Sequence, residues 1–196
     1  MAGLMVAING KSLASVSDDG LNIIAVQIHG DVVGEELAVV EVFGGLYGQG
    51  AADKHLIWIA DHEISQDDEV EITFVEEIST SHEGKTIEEL HPESSSSAES
   101  GQSMHDLYEE LSALPKVRER FTFNLVAPNG EMMRTRTGPD DYSFHLSAMW
   151  RWIKPTEARV SLTSNTLEKI SKQEDGLDHA AFALQFGQSM KLRIGT

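Results

Sequence analysis

Residues 4–17 read LMVAINGKSLASVS, and residues 121–137 read FTFNLVAPNGEMMRTRT. In the first stretch Asn9-Gly10 separates two strand-like runs, Leu4–Ile8 and Lys11–Ser17. In the second, Asn129-Gly130 separates Phe121–Ala127 from Glu131–Thr137. Asn-Gly between two such runs predicts a β-hairpin, because a type I′ turn needs φ > 0 at both central residues. Pro128, just before the second turn, leaves the details of that hairpin open.

A segment that fits a helix follows each hairpin. Leu21, Ile24, Ala25 and Ile28 fall at helical spacing, with Asp18 or Asp19 to cap the start and Gly30 the end. Tyr142, Leu146, Met149, Trp150 and Ile153 do the same between Pro139 and Pro155. The β-branched content of Asn22–Ile28 argues for a strand instead. Three strand-like runs come next in each half: Leu37–Phe43, His55–Ala60 and Glu69–Glu77, then Ala158–Thr163, His179–Phe186 and Ser189–Gly195. Glu69–Phe74 and Met190–Ile194 alternate apolar and polar residues, which predicts one buried and one wet face, with Glu69, Glu71 and Thr73 in water. The two halves repeat at an offset of 120 residues, both at the Asn-Gly turn and in the last strand. The expected fold class is therefore α+β: two similar ββαβββ units, mostly antiparallel sheets each with one short helix.

The boundaries follow from composition. Residues 1–77 form the first unit and residues 116–196 the second. Between them, Ile78–Ser103 is Ser-rich and acidic, poor in large apolar side chains, and reads as a linker or long loop. Residues 104–115 predict a short connecting helix, capped by Ser103, striped by Met104, Leu107, Leu111 and Leu114, and ended by Pro115.

Charge is segregated. Residues 1–100 hold 20 Asp/Glu against 3 Lys/Arg, whereas residues 101–196 hold 12 of each, so the net −17 belongs to the first half. A surface of that sign repels phosphate, which disfavours direct nucleic-acid binding, and it steers basic partners. No apolar run approaches the ~18 residues of a membrane span. The start, MAGLMVAINGKS, lacks the pattern of a secretion signal, so the expected location is cytoplasmic. With no Cys in the chain, disulfides, thiolate metal sites and Cys nucleophiles are excluded.

The succession Ile8-Asn9-Gly10-Lys11, a Gly20-centred segment, Gly44-Gly45-Leu46, His55-Leu56-Ile57-Trp58 and Asp67-Asp68-Glu69-Val70-Glu71-Ile72 resembles a group of small uncharacterised bacterial proteins. The resemblance covers residues 4–77. It implies a small α+β unit of bacterial origin and brings no activity, cofactor or catalytic residue with it.

No motif for chemistry emerges. His55, Asp61, His62 and Glu63 could supply metal ligands, but neighbours on a strand alternate faces and do not converge, so no metal or cofactor is expected. Gly44–Gly50 lacks the Lys-Ser/Thr of a phosphate loop, and Gly84-Lys85-Thr86 lacks its first glycine. There is no Gly-x-Ser-x-Gly elbow. The pairs Asp18-Asp19, Asp67-Asp68 and Asp140-Asp141 suit caps and turns. Trp150 and Trp152 cannot share a helix face, so Trp152, beside Arg151 and Lys154, is expected to be partly exposed.

The leading expectation is a non-enzymatic, inhibitor- or immunity-type protein that holds a basic protein partner. Its contact residues would be Glu35, Glu36, Glu41, Asp67, Asp68, Glu69 and Glu71, with Trp152. The alternatives are an assembly module that forms homo-oligomers through sheet edges, and an enzyme with a site between the halves.

Overall fold

The computed structural model describes residues 1–48, 53–92 and 104–196. The first hairpin forms as expected: β1 (Gly3–Ile8) and β2 (Lys11–Ser17) meet with Ile8 opposite Lys11. Asn9 at φ 53° and Gly10 at φ 75° make the left-handed pair that the turn requires. In the second hairpin, β7 (Thr122–Val126) and β8 (Met132–Arg136) are joined by a longer loop. The turn runs over Ala127–Gly130, closed by Gly130 N–H to Ala127 O at 2.9 Å, with Pro128 supplying the negative φ of its second position; Gly130 takes positive φ, at 81°, and Asn129 Oδ1 accepts the Glu131 N–H at 2.9 Å.

The two expected helices within the units do not form. Leu21–Gly30 is replaced by strand β3 (Ile23–Asp31), and Tyr142–Ile153 by strand β9 (Asp141–Arg151). Both carry period-2 burial: Ile24, Val26 and Ile28 point inward on β3, and Phe144, Leu146, Ala148 and Trp150 on β9. The β-branched run decided the matter over the helical spacing. The remaining strands are β4 (Ala38–Leu46), β5 (Lys54–Ile64), β6 (Glu69–Val75), β10 (Glu157–Thr166), β11 (Leu177–Gln185) and β12 (Ser189–Gly195), close to the runs read from sequence. The helices are short: α2 (Met104–Ala113) falls within the connecting helix expected over 104–115, and α1 (Ile87–Leu90) and α3 (Leu167–Ser171) lie outside the expected helical segments. The fold is broadly α+β, dominated by antiparallel strands. None of the described helices is long and apolar enough to cross a membrane.

Two six-stranded sheets face each other, in the orders β2-β1-β6-β12-β7-β8 and β11-β10-β9-β3-β4-β5. Each half of the chain gives three strands to each sheet, and one buried cluster joins them. The halves meet at β6–β12, where Glu71 faces Lys191, and at β3–β9, where Gln27 faces Ser147. In both pairs the partners are 120 residues apart. The same offset relates the register of β3–β4, with Val40 opposite Ile28, to that of β9–β10, with Val160 opposite Ala148 and Leu162 opposite Leu146. Near the end of the sandwich where β3 finishes, the sheets are bridged by rings: Phe144, opposite Gly30, lies edge-on to Phe121 and Phe123, with centroids 4.7 and 5.0 Å away.

The stretch read as a linker is held down where it is described. Ser81 N–H donates to Ser15 O at 2.9 Å on β2, Trp58 Nε1–H donates to His82 O at 3.0 Å, and Lys85 pairs with Ile57 on β5. Thr86 and Glu89 form a capping box that starts α1. Residues 93–103, including the expected cap Ser103, lie outside the described residues, as do Gln49 and Gly50.

Candidate functional site

The end of the sandwich where β3 finishes gathers several of the expected acidic residues. Ala38, the first residue of β4, pairs with Ile64, the last of β5. The β3–β4 loop, with Glu35 and Glu36, therefore leaves the sheet at the same end as the β5–β6 turn, with Asp67 and Asp68. The β1–β2 turn joins them: Asn9 Nδ2 donates to Asp68 Oδ1 at 2.6 Å, and the Glu69 N–H donates to Asn9 Oδ1 at 2.9 Å.

These loops are stiffly built. Asp31 Oδ1 accepts the N–H groups of Val33 (2.9 Å) and Gly34 (2.6 Å), fixing a tight turn. Arg118 crosses from the second half and donates to the carbonyls of Asp31 at 2.6 Å and Glu35 at 3.0 Å, with its guanidinium 5.5 Å from the Phe121 ring centroid. The chain just before it adds two backbone bonds to Val32 O, from Val117 and Arg118. Asp68 Oδ2 accepts the Ser65 N–H at 2.8 Å and closes the β5–β6 turn. Among the described residues, the carboxylates of Glu35, Glu36 and Asp67 have no hydrogen-bond or ion-pair partner.

The other expected residues are either paired or on other faces. Glu69 and Glu71 do face water from β6, as their alternation required, but cations of the second half meet them. Lys191 Nζ is 2.9 Å from Glu69 and 3.7 Å from Glu71, and Arg193 reaches Glu69 at 3.0 Å. The Lys191 hydrogen bond is the main reason the Glu69 carboxyl is held below its ordinary value. Glu41 sits on the opposite outer face, 3.7 Å from His29. Trp152 is indeed exposed, at 55%. The reason differs from the helical argument: β9 stops at Arg151, and the following turn swings Trp152 out while Trp150 stays buried and donates to Pro155 O at 3.1 Å. Trp152 N–H bonds Asn22 O, next to the first residue of β3. The nine residues of β3 thus separate it from the acidic loops by roughly 30 Å.

A polar cluster that no sequence spacing announced lies between the sheets. Thr135 of β8, His179 of β11, Ser164 of β10 and Asp141 of β9 form a chain of hydrogen bonds with distances of 3.0, 2.8 and 2.6 Å. Gly138 N–H adds a second donor to Asp141 Oδ2 at 2.7 Å. The directions are self-consistent for a neutral imidazole: Thr135 donates to Nδ1, Nε2–H donates to Ser164 Oγ, and Ser164 donates to Asp141. Ser, His and Asp occur together, yet Ser164 stands in the middle, is buried and gives its proton to the carboxylate. In a nucleophilic triad the imidazole takes the middle place and receives that proton. The cluster's role is to tie β8 of one sheet to three strands of the other.

Two half-buried imidazoles are expected to make the fold acid-sensitive. Burial, and secondarily the neighbouring His29, hold His145 below the ordinary histidine value. Burial does the same to His179, against the opposing pull of Asp141 and Asp178. A histidine whose folded pKa is depressed contributes stability that is present above its unfolded pKa of about 6.5 and is lost as pH falls through the folded value. Thermal melts of the wild type are therefore expected to move to lower temperature between pH 7.5 and 5.5, and melts of the His145→Gln/His179→Gln variant to move less. A wild-type midpoint that stays level or rises on acidification would contradict this.

Among the described residues no three His, Asp or Glu side chains come together to hold a metal ion. The surface grooves are shallow. One of about 390 Å³ on the outer face of the first sheet is lined by Asn124, Val126, Met132, Arg134, Lys191 and Arg193, beside Glu69. Another, of about 370 Å³, lies between the β7–β8 loop and β11. No family model, curated protein or solved structure matches the chain.

Proposed function

We propose that the protein is a non-enzymatic binding protein whose acidic sandwich end holds a basic protein partner. The observation that carries this reading is the convergence of the β3–β4 loop and β5–β6 turn at one end, with the Glu35, Glu36 and Asp67 carboxylates unpaired among the described residues on braced backbone. Loops fixed beforehand bind without a large ordering cost, and carboxylates free of internal counterions are available to an incoming Lys or Arg. Glu69 and Glu71 contribute less than their number suggests, since Lys191 and Arg193 already neutralise them.

We propose also that the chain is an internal duplication of one six-strand unit. Its support is the 120-residue offset, which places equivalent residues opposite each other at both central pairings and reproduces the register of β3–β4 in β9–β10. On this view the second half kept the scaffold and lost the acidic loops. The residues at the place of the β3–β4 loop are Trp152-Ile153-Lys154-Pro155.

The test is fluorescence anisotropy with a labelled ten-residue oligolysine peptide as the minimal basic partner. Binding is expected to weaken steeply as salt rises from 50 to 500 mM, and at least tenfold in the variant Glu35→Lys/Glu36→Lys/Asp67→Lys. The variant Asp18→Lys/Asp19→Lys/Glu131→Lys makes the same change in net charge at the other end and is expected to bind nearly as the wild type does. Equal losses in both variants would mean that only net charge matters.

A further inference from the structure

We infer that the outer edge of β8 is a docking site for an extended, acidic segment of another polypeptide, which adds a strand to the first sheet. The bonds from Ala127 N to Glu131 O and from Thr137 N to Phe121 O bracket the β7–β8 ladder. With the register between them, they turn the backbone groups of Met133 and Thr135 toward β7, and those of Met132, Arg134 and Arg136 outward. Among the described residues nothing bonds these outward N–H and C=O groups.

The other edge of the same sheet shows what such a row accepts. On β2, Ser15 O takes the Ser81 N–H at 2.9 Å, Ser15 N–H donates to Ser81 Oγ at 3.1 Å, and Ser17 N–H donates to Thr80 Oγ1 at 3.1 Å. The chain's own residues 79–81 thus cover one edge, and the matching edge at β8 is open among the described residues.

The side chains around the open edge choose the sign of the occupant. Arg134 and Arg136 project from it, both exposed, and Arg134 has no hydrogen-bond or ion-pair partner among the described residues. The adjoining groove adds Lys191 and Arg193, and it has an apolar floor of Val126 and Met132, the latter 60% exposed. Four cations face two carboxylates, Glu69 and Glu71, in a molecule whose net charge is −17. Charged residues on an edge strand repel a strand of like sign and admit one of opposite sign. Backbone bonds would supply affinity, and the arginines would select glutamate or aspartate at alternate positions.

The test uses the full chain and a labelled seven-residue peptide alternating glutamate and valine, with its lysine-valine counterpart as control. The acidic peptide is expected to bind and, in amide hydrogen exchange, to slow Met132, Arg134 and Arg136. Met132→Pro removes one outward N–H and keeps both arginines, while Arg134→Glu/Arg136→Glu keeps the backbone row and reverses the charge. Each is expected to weaken binding at least tenfold with little change in the melting midpoint. The proposal is overturned if the acidic peptide does not bind, if it binds both variants as well as the wild type, or if protection appears away from β8. It is equally overturned if the lysine peptide is the one that protects β8, or if the protein alone dimerises through β8 and excludes the peptide, which would make the occupant a second copy. Should a variant fail to fold, the exchange pattern of the wild type still decides.

Discussion

Replacing Phe144 with alanine is expected to lower stability by about 3–5 kcal/mol, the range for emptying a buried aromatic site. Phe144 is 1% exposed and projects from β9 into the space between the sheets. Phe121 and Phe123 reach it from the other sheet's side at edge-on angles of 65°. Alanine would leave a void at the place where the two sheets touch, and would also remove two aromatic pairs worth about 0.5–1.5 kcal/mol each beyond their buried area. Domains are stable by only about 5–15 kcal/mol, so the loss takes a large share. For a chain of this length it corresponds to a fall in melting temperature of roughly 6–20 °C. Denaturant titration measures it directly. Phe144→Leu, which keeps most of the volume, is expected to lose much less, and a loss below about 1 kcal/mol for the alanine variant would mean that the rings do not hold the sheets together.

Asp141→Ala is expected to cost about 2–4 kcal/mol for a different reason. Asp141 is buried and accepts from both the Ser164 hydroxyl and the Gly138 N–H. Alanine strands both donors away from water, and an unsatisfied buried donor costs about 1–3 kcal/mol. Asp141→Asn retains an oxygen with two lone pairs and is expected to lose less than half as much. If the chain from Thr135 to Asp141 acts as a unit, Ser164→Ala and Asp141→Ala will be non-additive, with a coupling of about 0.5–3 kcal/mol in a double-mutant cycle. Additive losses would show that the contacts are independent.

The strands with one wet face are the legible part of the fold. β6 and β12 have one wet face, so their sequences alternate, and Asn-Gly marks the first hairpin. β3 and β9 read as helices because their outer face is also partly covered, as at Ala25 and Ser147. Ala25 points away from the core cluster and is still fully buried, so Ile24-Ala25-Val26 has no alternation to read and its apolar positions also satisfy a helical spacing. Of the site, the acidity was legible in composition and its placement was not. Arg118 reaches Asp31 and Glu35 across more than 80 residues, and Lys191 neutralises Glu69 across 122. Thr135, Asp141, Ser164 and His179 are separated by loops of unequal length, so their cluster leaves no periodic trace. Such pairings depend on which strands become neighbours, and only the sheet order supplies that.

Titration of the isotopically labelled protein with oligolysine, followed amide by amide by NMR at low salt, tests the binding role most directly. The shifts are expected to concentrate at residues 31–37 and 65–68 and to leave 18–22 and 152–156, at the far end of β3, unmoved. Shifts of equal size at both ends, or none in either loop, would contradict a binding face at that end.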